Sequence, residues 1–281
     1  MWVAGQQQPC GIIVKFKGEA ECSWTERRTV HRNGKSETVS THYRGYEMYF
    51  ENSAKVFAGT GVTEVLPAGE HSFPFSMMLP IHLPSSFEGE YGYVRYTVKA
   101  TLDRPWKFDH EVKAAFTVLS HFDLNLDPHN REPVKVENNK YFCCCCCKSG
   151  PLTLVTYVPA RGYVPGQSIP MIIEVDNASN ITVSGVVCEL RQIVTYRAPG
   201  TSKQHFAVVA SVALEGSVGE NNSKTWTSRM TVPPLPSSSL PQCSIIDVDY
   251  RLHDDYSNKN KRQSALQNFI KEPKGCGFQD M

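Results

Sequence analysis

Two groups of residues in this sequence have types and spacings suited to chemistry. The first is a cluster of bases, Arg27, Arg28, His31, Arg32 and Lys35, gathered around Asn33-Gly34. Cationic groups this close repel one another until an anion neutralises them, so the cluster is a candidate contact for a phosphate-bearing partner. A solvated turn tip that merely carries charge is the alternative. The second group is the unbroken run Cys143, Cys144, Cys145, Cys146 and Cys147. Three readings of it are open. Alternate thiols are buried as small hydrophobes at the start of a strand. Or the thiols are S-acylated, giving peripheral membrane association that needs a second signal for stable anchoring. Or they hold a metal, the weakest reading, because zinc sites want spaced pairs with distant partners.

Catalytic patterns are missing. The sequence has no GxSxG, HExxH or GxxxxGK, and Gly59-Thr-Gly61 lacks the third glycine of a nucleotide loop. The nine His are dispersed. Glu88 and Glu90 share one face of an extended stretch without an evident role. The expectation is a protein that is not an enzyme and carries no catalytic residue, metal or cofactor.

Net charge is +1, from 29 Lys+Arg against 28 Asp+Glu, which gives no bulk electrostatic reason for a nucleic-acid partner. No apolar run is long enough for a transmembrane helix. The first residues lack an apolar h-region, so no signal peptide is expected, and the ten Cys then read as free thiols in a reducing compartment. Three sequons, at Asn177, Asn180 and Asn221, are then chance matches.

Alternation of period two dominates the chain. Ile12, Val14, Phe16, Gly18, Ala20, Cys22 and Trp24 lie on one face, with Lys15, Lys17, Glu19, Glu21, Ser23 and Thr25 on the other. Such a segment is a strand with one side on a core. Asn33-Gly34 then predicts the turn of a long hairpin whose second arm is the 46–57 region. Further strands are predicted at Phe73/Phe75/Met77/Leu79, Val94–Leu102, Val112–Val118, and, in the second half, around Leu152, Ile169–Val175, Val186–Leu190, Phe206–Leu214, Trp226–Val232 and Ile246–Leu252. Many short strands with turn residues between them and no helix indicate an all-β sandwich.

The halves repeat. Leu83-Pro-Ser-Ser86 precedes a strand with Tyr96 at its middle, and Leu235-Pro-Ser-Ser238 precedes one with Tyr250 at its middle. By this equivalence Pro233-Pro-Leu-Pro236 is a turn between strands rather than a WW-domain ligand. Residues 123–142 are polar with Pro and read as a linker. The organisation expected is a first sandwich over 1–122 lacking its first strands, a linker over 123–142, a second sandwich over 143–253 lacking its last strands, and a polar tail over 254–281 with a short helix near 264–270. Edges left unpaired in this way ask for a substitute strand.

Several of these segments resemble one family. VKFKGEAECSW (14–24), LPAGEHSFPF (66–75), LPSSF (83–87), YVRYTVKATLDRPW (93–106), GYVPGQS (162–168) and CSIIDVDY (243–250) are similar, in order, to the alpha-arrestins, the arrestin domain-containing proteins. The resemblance covers about residues 10–252. It implies an arrestin fold: two tandem immunoglobulin-like β-sandwiches. It also implies a non-enzymatic cytoplasmic adaptor that sits peripherally at plasma membrane and endosomes. Such an adaptor binds membrane receptors or transporters and supports their ubiquitin-linked endocytosis and endosomal sorting. Family members recruit HECT-type ubiquitin ligases through PPxY motifs. This sequence contains no PPxY, which weakens that partner here. The competing class is an extracellular or structural immunoglobulin-like binding module, distinguished by disulfides and occupied sequons.

Overall fold

The computed structural model describes residues 2–3, 11–32, 35–58, 66, 68–104, 108–120, 123–144, 147–258 and 261–270; at 2–3, 32, 143–144, 147–149, 258 and 261–270 it describes the backbone alone. The strands, in chain order, are β1 (Trp2–Val3), β2 (Gly11–Arg32), β3 (Lys35–Ala58), β4 (Gly69–Glu70), β5 (Phe87–Glu88), β6 (Gly92–Asp103), β7 (His110–Phe116), β8 (Val134–Cys144), β9 (Cys147–Val158), β10 (Ser168–Asn177), β11 (Gly185–Ala198), β12 (Thr201–Leu214), β13 (Asn222–Thr231), β14 (Ile246–Asn258) and β15 (Lys261–Ile270). The only helical elements among the described residues are 3-10 turns at Leu124–Leu126 and Pro128–Arg131. The fold is all-β, as the alternation predicts.

The chain forms two compact units. Unit 1 is Met1–Ser120 with Tyr196–Lys203 and Leu240–Ile246; unit 2 is His121–Thr195, Gln204–Ser239 and Asp247–Met281.

Unit 1 is built on one antiparallel sheet ordered β3-β2-β6-β5, with β7 also paired to β6. The predicted inner face of β2 is the one that is buried: Ile12, Val14, Ala20, Cys22 and Trp24 are all in the core. Gly18 belongs to this row because a Cβ there would lie 2.6 Å from the Phe50 ring and 2.7 Å from that of Tyr96. The segment carrying Phe73, Phe75, Met77 and Leu79 is not a strand. Its alternation reports contact, not pairing: Phe73 lies on Ile12, Leu66 and Leu102, and Phe75 meets Phe16 edge-on at 5.5 Å. No strand partner stands beside its backbone among the described residues.

Leu83-Pro-Ser-Ser86 closes this unit through hydrogen bonds. The Tyr96 hydroxyl donates to the Pro84 carbonyl at 2.6 Å, while the Ser86 and Ser85 hydroxyls accept from the backbone N–H groups of Val118 and Ser120 at 3.0 and 2.9 Å. The motif therefore ties the turn before β6 both to β6 and to the chain leaving β7.

Unit 2 has two four-stranded sheets, β13-β10-β9-β8 and β12-β11-β14-β15. Both contribute to one core, with Leu154, Met171, Ile173 and Met230 from the first sheet and Val186, Cys188, Leu190, Leu214 and Leu252 from the second. Each such side chain contributes about 1.5–3 kcal/mol on burial. The Leu235-Pro-Ser-Ser238 turn is fastened as in the first half, with the Tyr250 hydroxyl donating to the Pro236 carbonyl at 2.8 Å.

Three sequence expectations change here. The stretch read as a linker contains the two 3-10 turns and then β8, which pairs with β9 from Val134↔Val158 onward. Its polarity belongs to an edge strand rather than to a free connection. The stretch read as a tail carries the end of β14 and all of β15, paired from Tyr250↔Ile270 to Asn258↔Lys261. Residues 264–270 are thus strand and not helix, and residues 271–281 lie outside the described ones.

The continuation of β14 places acids inside. Asp254 is 1% exposed at a position of the row Ile246, Val248, Leu252 that is otherwise apolar. It accepts from the Thr156 hydroxyl at 2.6 Å, across from the other sheet. Asp255 accepts from Arg191 at 2.8 Å and lies 3.0 Å from His253 Nε2.

Candidate partner-binding hairpin

Strands β2 and β3 pair along their whole length, from Gly11↔Ala58 to Arg32↔Lys35. That last pair leaves only residues 33–34 between the strands, as an Asn-Gly turn requires; the two residues themselves lie outside the described ones. Pairing of β2 with β6 stops at Cys22↔Gly92. Beyond it, Trp24 and Tyr43 stack at 5.6 Å as the last aromatic pair. From Thr25 outward both strands are exposed on both faces, a ribbon of about 25 Å at 3.3 Å per residue.

The register divides this ribbon into unlike faces. One carries Thr25, Arg27, Thr29 and His31 opposite His42, Ser40, Thr38 and Ser36. It holds hydroxyls, imidazoles and a guanidinium but no carboxylate. The other carries Glu26, Arg28 and Val30 opposite Thr41, Val39 and Glu37, with Lys35 beyond. The bases singled out from sequence therefore do not form one patch: Arg27 and His31 stand on one face and Arg28 on the other. Arg32 pairs in register with Lys35, and its side chain lies outside the described residues.

Five basic side chains of the sheet below are each paired with a carboxylate. Lys15–Glu51 and Lys17–Glu19 meet at 2.5 Å, Arg44–Glu21 at 2.9 Å, Arg95–Glu88 at 2.5 Å and Lys99–Glu111 at 2.6 Å. Arg44 holds the Glu21 carboxyl below its ordinary value, and the bond to Glu19 holds Lys17 above its own. Glu88 is thus half of an ion pair with Arg95, a role its spacing from Glu90 gave no sign of. On the ribbon, Trp24 donates to Glu26, Thr25 bonds His42 at 3.2 Å, and Ser36 bonds His31 at 3.0 Å. Arg27 and Arg28 make no ion pair among the described residues. An exposed guanidinium flanked by hydroxyl donors suits an incoming phosphate or carboxylate.

The hydroxyl row of Thr25, Thr29, Ser36, Thr38 and Ser40 is a feature that the sequence reading missed. The signal was available, since closing the hairpin at Asn33-Gly34 fixes which residues share a face.

The other predicted groups are placed as follows. Cys143 and Cys144 end β8 and Cys147 begins β9, so the cysteine run spans the connection of that hairpin; Cys145, Cys146 and the side chains of all five lie outside the described residues. Cys22, Cys188 and Cys243 are free thiols. Burial raises the pKa of each, which removes thiolate reactivity. Asn177 is 0% exposed, and its amide donates to the carbonyls of Ile181, Val218 and Gly219, so that sequon is a structural clamp. No group of three or more His, Cys, Asp or Glu among the described residues could hold a metal.

Comparison with known proteins agrees with this architecture. Residues 6–125 match the family model for the arrestin (or S-antigen) N-terminal domain, and residues 148–264 that for the arrestin (or S-antigen) C-terminal domain. The chain is similar to arrestin domain-containing protein 17 of Caenorhabditis elegans, 35% identical over 251 residues, 85% of this chain and 57% of the relative. It is similar to arrestin domain-containing protein 1 of Homo sapiens, 38% identical over 209 residues, 73% of this chain and 46% of the relative. It is also 36% identical over 196 residues to arrestin domain-containing protein 4 of Mus musculus, 69% of this chain and 46% of the relative. The chain spans about half the length of these relatives. With both domains matched in order on an all-β frame, the chain belongs to the arrestin domain-containing family.

Proposed function

We propose that this chain is a non-enzymatic adaptor that binds cytoplasmic segments of membrane receptors or transporters and supports their ubiquitin-linked endocytosis and endosomal sorting. It acts in the cytoplasm, peripherally at plasma membrane and endosomes. The observation that carries the reading is the contrast on unit 1. Lys15, Lys17 and Arg44 of the sheet each meet a carboxylate, while Arg27 stands exposed and, among the described residues, without an ion pair on a ribbon face that offers donors and no carboxylate. Such a face takes a phosphorylated or acidic segment, with hydroxyls and guanidinium sharing its oxygens. The sequence has no PPxY, so the reading does not depend on direct capture of a HECT-type ligase.

Proximity labelling in cells tests it. Endosomal membrane proteins or ubiquitin ligases should be enriched around the folded chain, and an Arg27→Glu variant should lose the membrane proteins. Recovery of neither class from stably folded protein would sink the proposal.

A further inference from the structure

The edge strand β7 presents a self-complementary surface. It pairs with β6 on one side, through Tyr96↔Phe116 to Leu102↔His110, and, among the described residues, with no other strand. All of its residues except Phe116 are exposed. Val112 is 67% exposed although it belongs to the row facing the core side, and Phe108, just before the strand, is 95% exposed. The sequence His110-Glu-Val-Lys-Ala-Ala-Phe116 has no Pro, and among the described residues its second backbone edge has no strand beside it.

The charges on this edge are unbalanced within one molecule. Lys113 stands directly across from Lys99, a like-charged pair, and Glu111 is already taken by Lys99 at 2.6 Å.

We infer that β7 pairs antiparallel with β7 of a second copy about a two-fold axis at Val112. That register sets Glu111 opposite Lys113 of the second copy and Lys113 opposite Glu111, while Val112 meets Val112 and Phe116 meets Phe108. Moving the axis by one residue in either direction sets Lys113 against Lys113 or Glu111 against Glu111. Facing residues on paired strands must share a sheet face, which excludes the registers between. Only one central register therefore satisfies the charges, and it also covers the two exposed apolar side chains. A contact between two strands of 7 residues is small, so the association is weak and reversible.

Sedimentation velocity in reducing buffer tests this on the whole chain. Wild type should show a reversible monomer–dimer equilibrium at tens of micromolar. Lys113→Glu and Glu111→Lys should each weaken it about tenfold or more, because each sets like charges together twice. An equimolar mixture of the two variants should dimerise again, since each supplies what the other lacks. This recovery also shows that both variants fold. Wild type that stays monomeric at hundreds of micromolar, a Lys113→Glu variant that dimerises as wild type does, or a mixture that stays monomeric would each overturn the inference.

Discussion

Tyr96 and Tyr250 make the same bond in the two halves of the chain: each hydroxyl donates to the carbonyl of the proline in its own Leu-Pro-Ser-Ser turn, at 2.6 and 2.8 Å. The environments differ. Tyr96 is 1% exposed, whereas Tyr250 is reached by solvent. Tyr96→Phe leaves a buried carbonyl without its donor and should cost about 1–3 kcal/mol, while Tyr250→Phe should cost about 0.5–1.5 kcal/mol because water replaces the lost donor. Urea denaturation of both variants checks the order.

Asn177 should be far more important to stability than its neighbour sequon. Asn177→Ala removes donors to three backbone carbonyls and is expected to cost about 2–4 kcal/mol. Asn180 is exposed, and Asn180→Ala should stay within about 0.5 kcal/mol of wild type. Thermal melts distinguish the two.

Asp254 should make stability fall with rising pH. Burial holds its carboxyl above the ordinary value of 3.8, against the opposing bonds from Cys188 and Thr156. The folded chain then keeps a proton that the unfolded chain has already released. Its contribution is intact below pH 3.8 and is lost as pH rises through the folded value. Asp254→Asn keeps an acceptor for Thr156 and should raise the urea midpoint at pH 7, with a smaller gain at pH 4. An equal gain at both would count against this account.

Charge on the ribbon should govern partner affinity and not fold stability. Arg27→Glu should weaken binding of a phosphorylated acidic peptide about tenfold, with the wild-type affinity itself falling as salt is added. The melting temperature should be unchanged, because Arg27 has no ion-pair partner among the described residues to lose. Fluorescence anisotropy at two ionic strengths, beside a melt, reads both quantities.

Period-two alternation made the strands of this protein legible because a half-buried sheet imposes that period directly. Residues 12–24 declared their inner face correctly down to Gly18. Alternation was misleading at Phe73 to Leu79, where side chains meet a core but no backbone stands alongside. It was silent on β8 and β15, whose polar residues look like linker and tail. The cationic cluster was visible as composition, but its division into two faces depends on register, which becomes readable only once the turn at Asn33-Gly34 is taken as fixed. The link from Tyr96 to Pro84 was within reach of the internal repeat. The pairing of Glu88 with Arg95 was not, since it depends on β5 returning beside β6.

Unit 1 is not complete in one stretch of sequence. The Cys22 thiol lies 3.3 Å from the Arg197 carbonyl and 3.9 Å from that of Ile245, which is 223 residues later, and Gly45 leaves no room for a Cβ beside Arg197. During synthesis on the ribosome, the first 120 residues emerge long before these carbonyls exist. Unit 1 therefore cannot be completed until Ile246 has left the exit tunnel, and a fragment cut at Ser120 would never receive its last pieces.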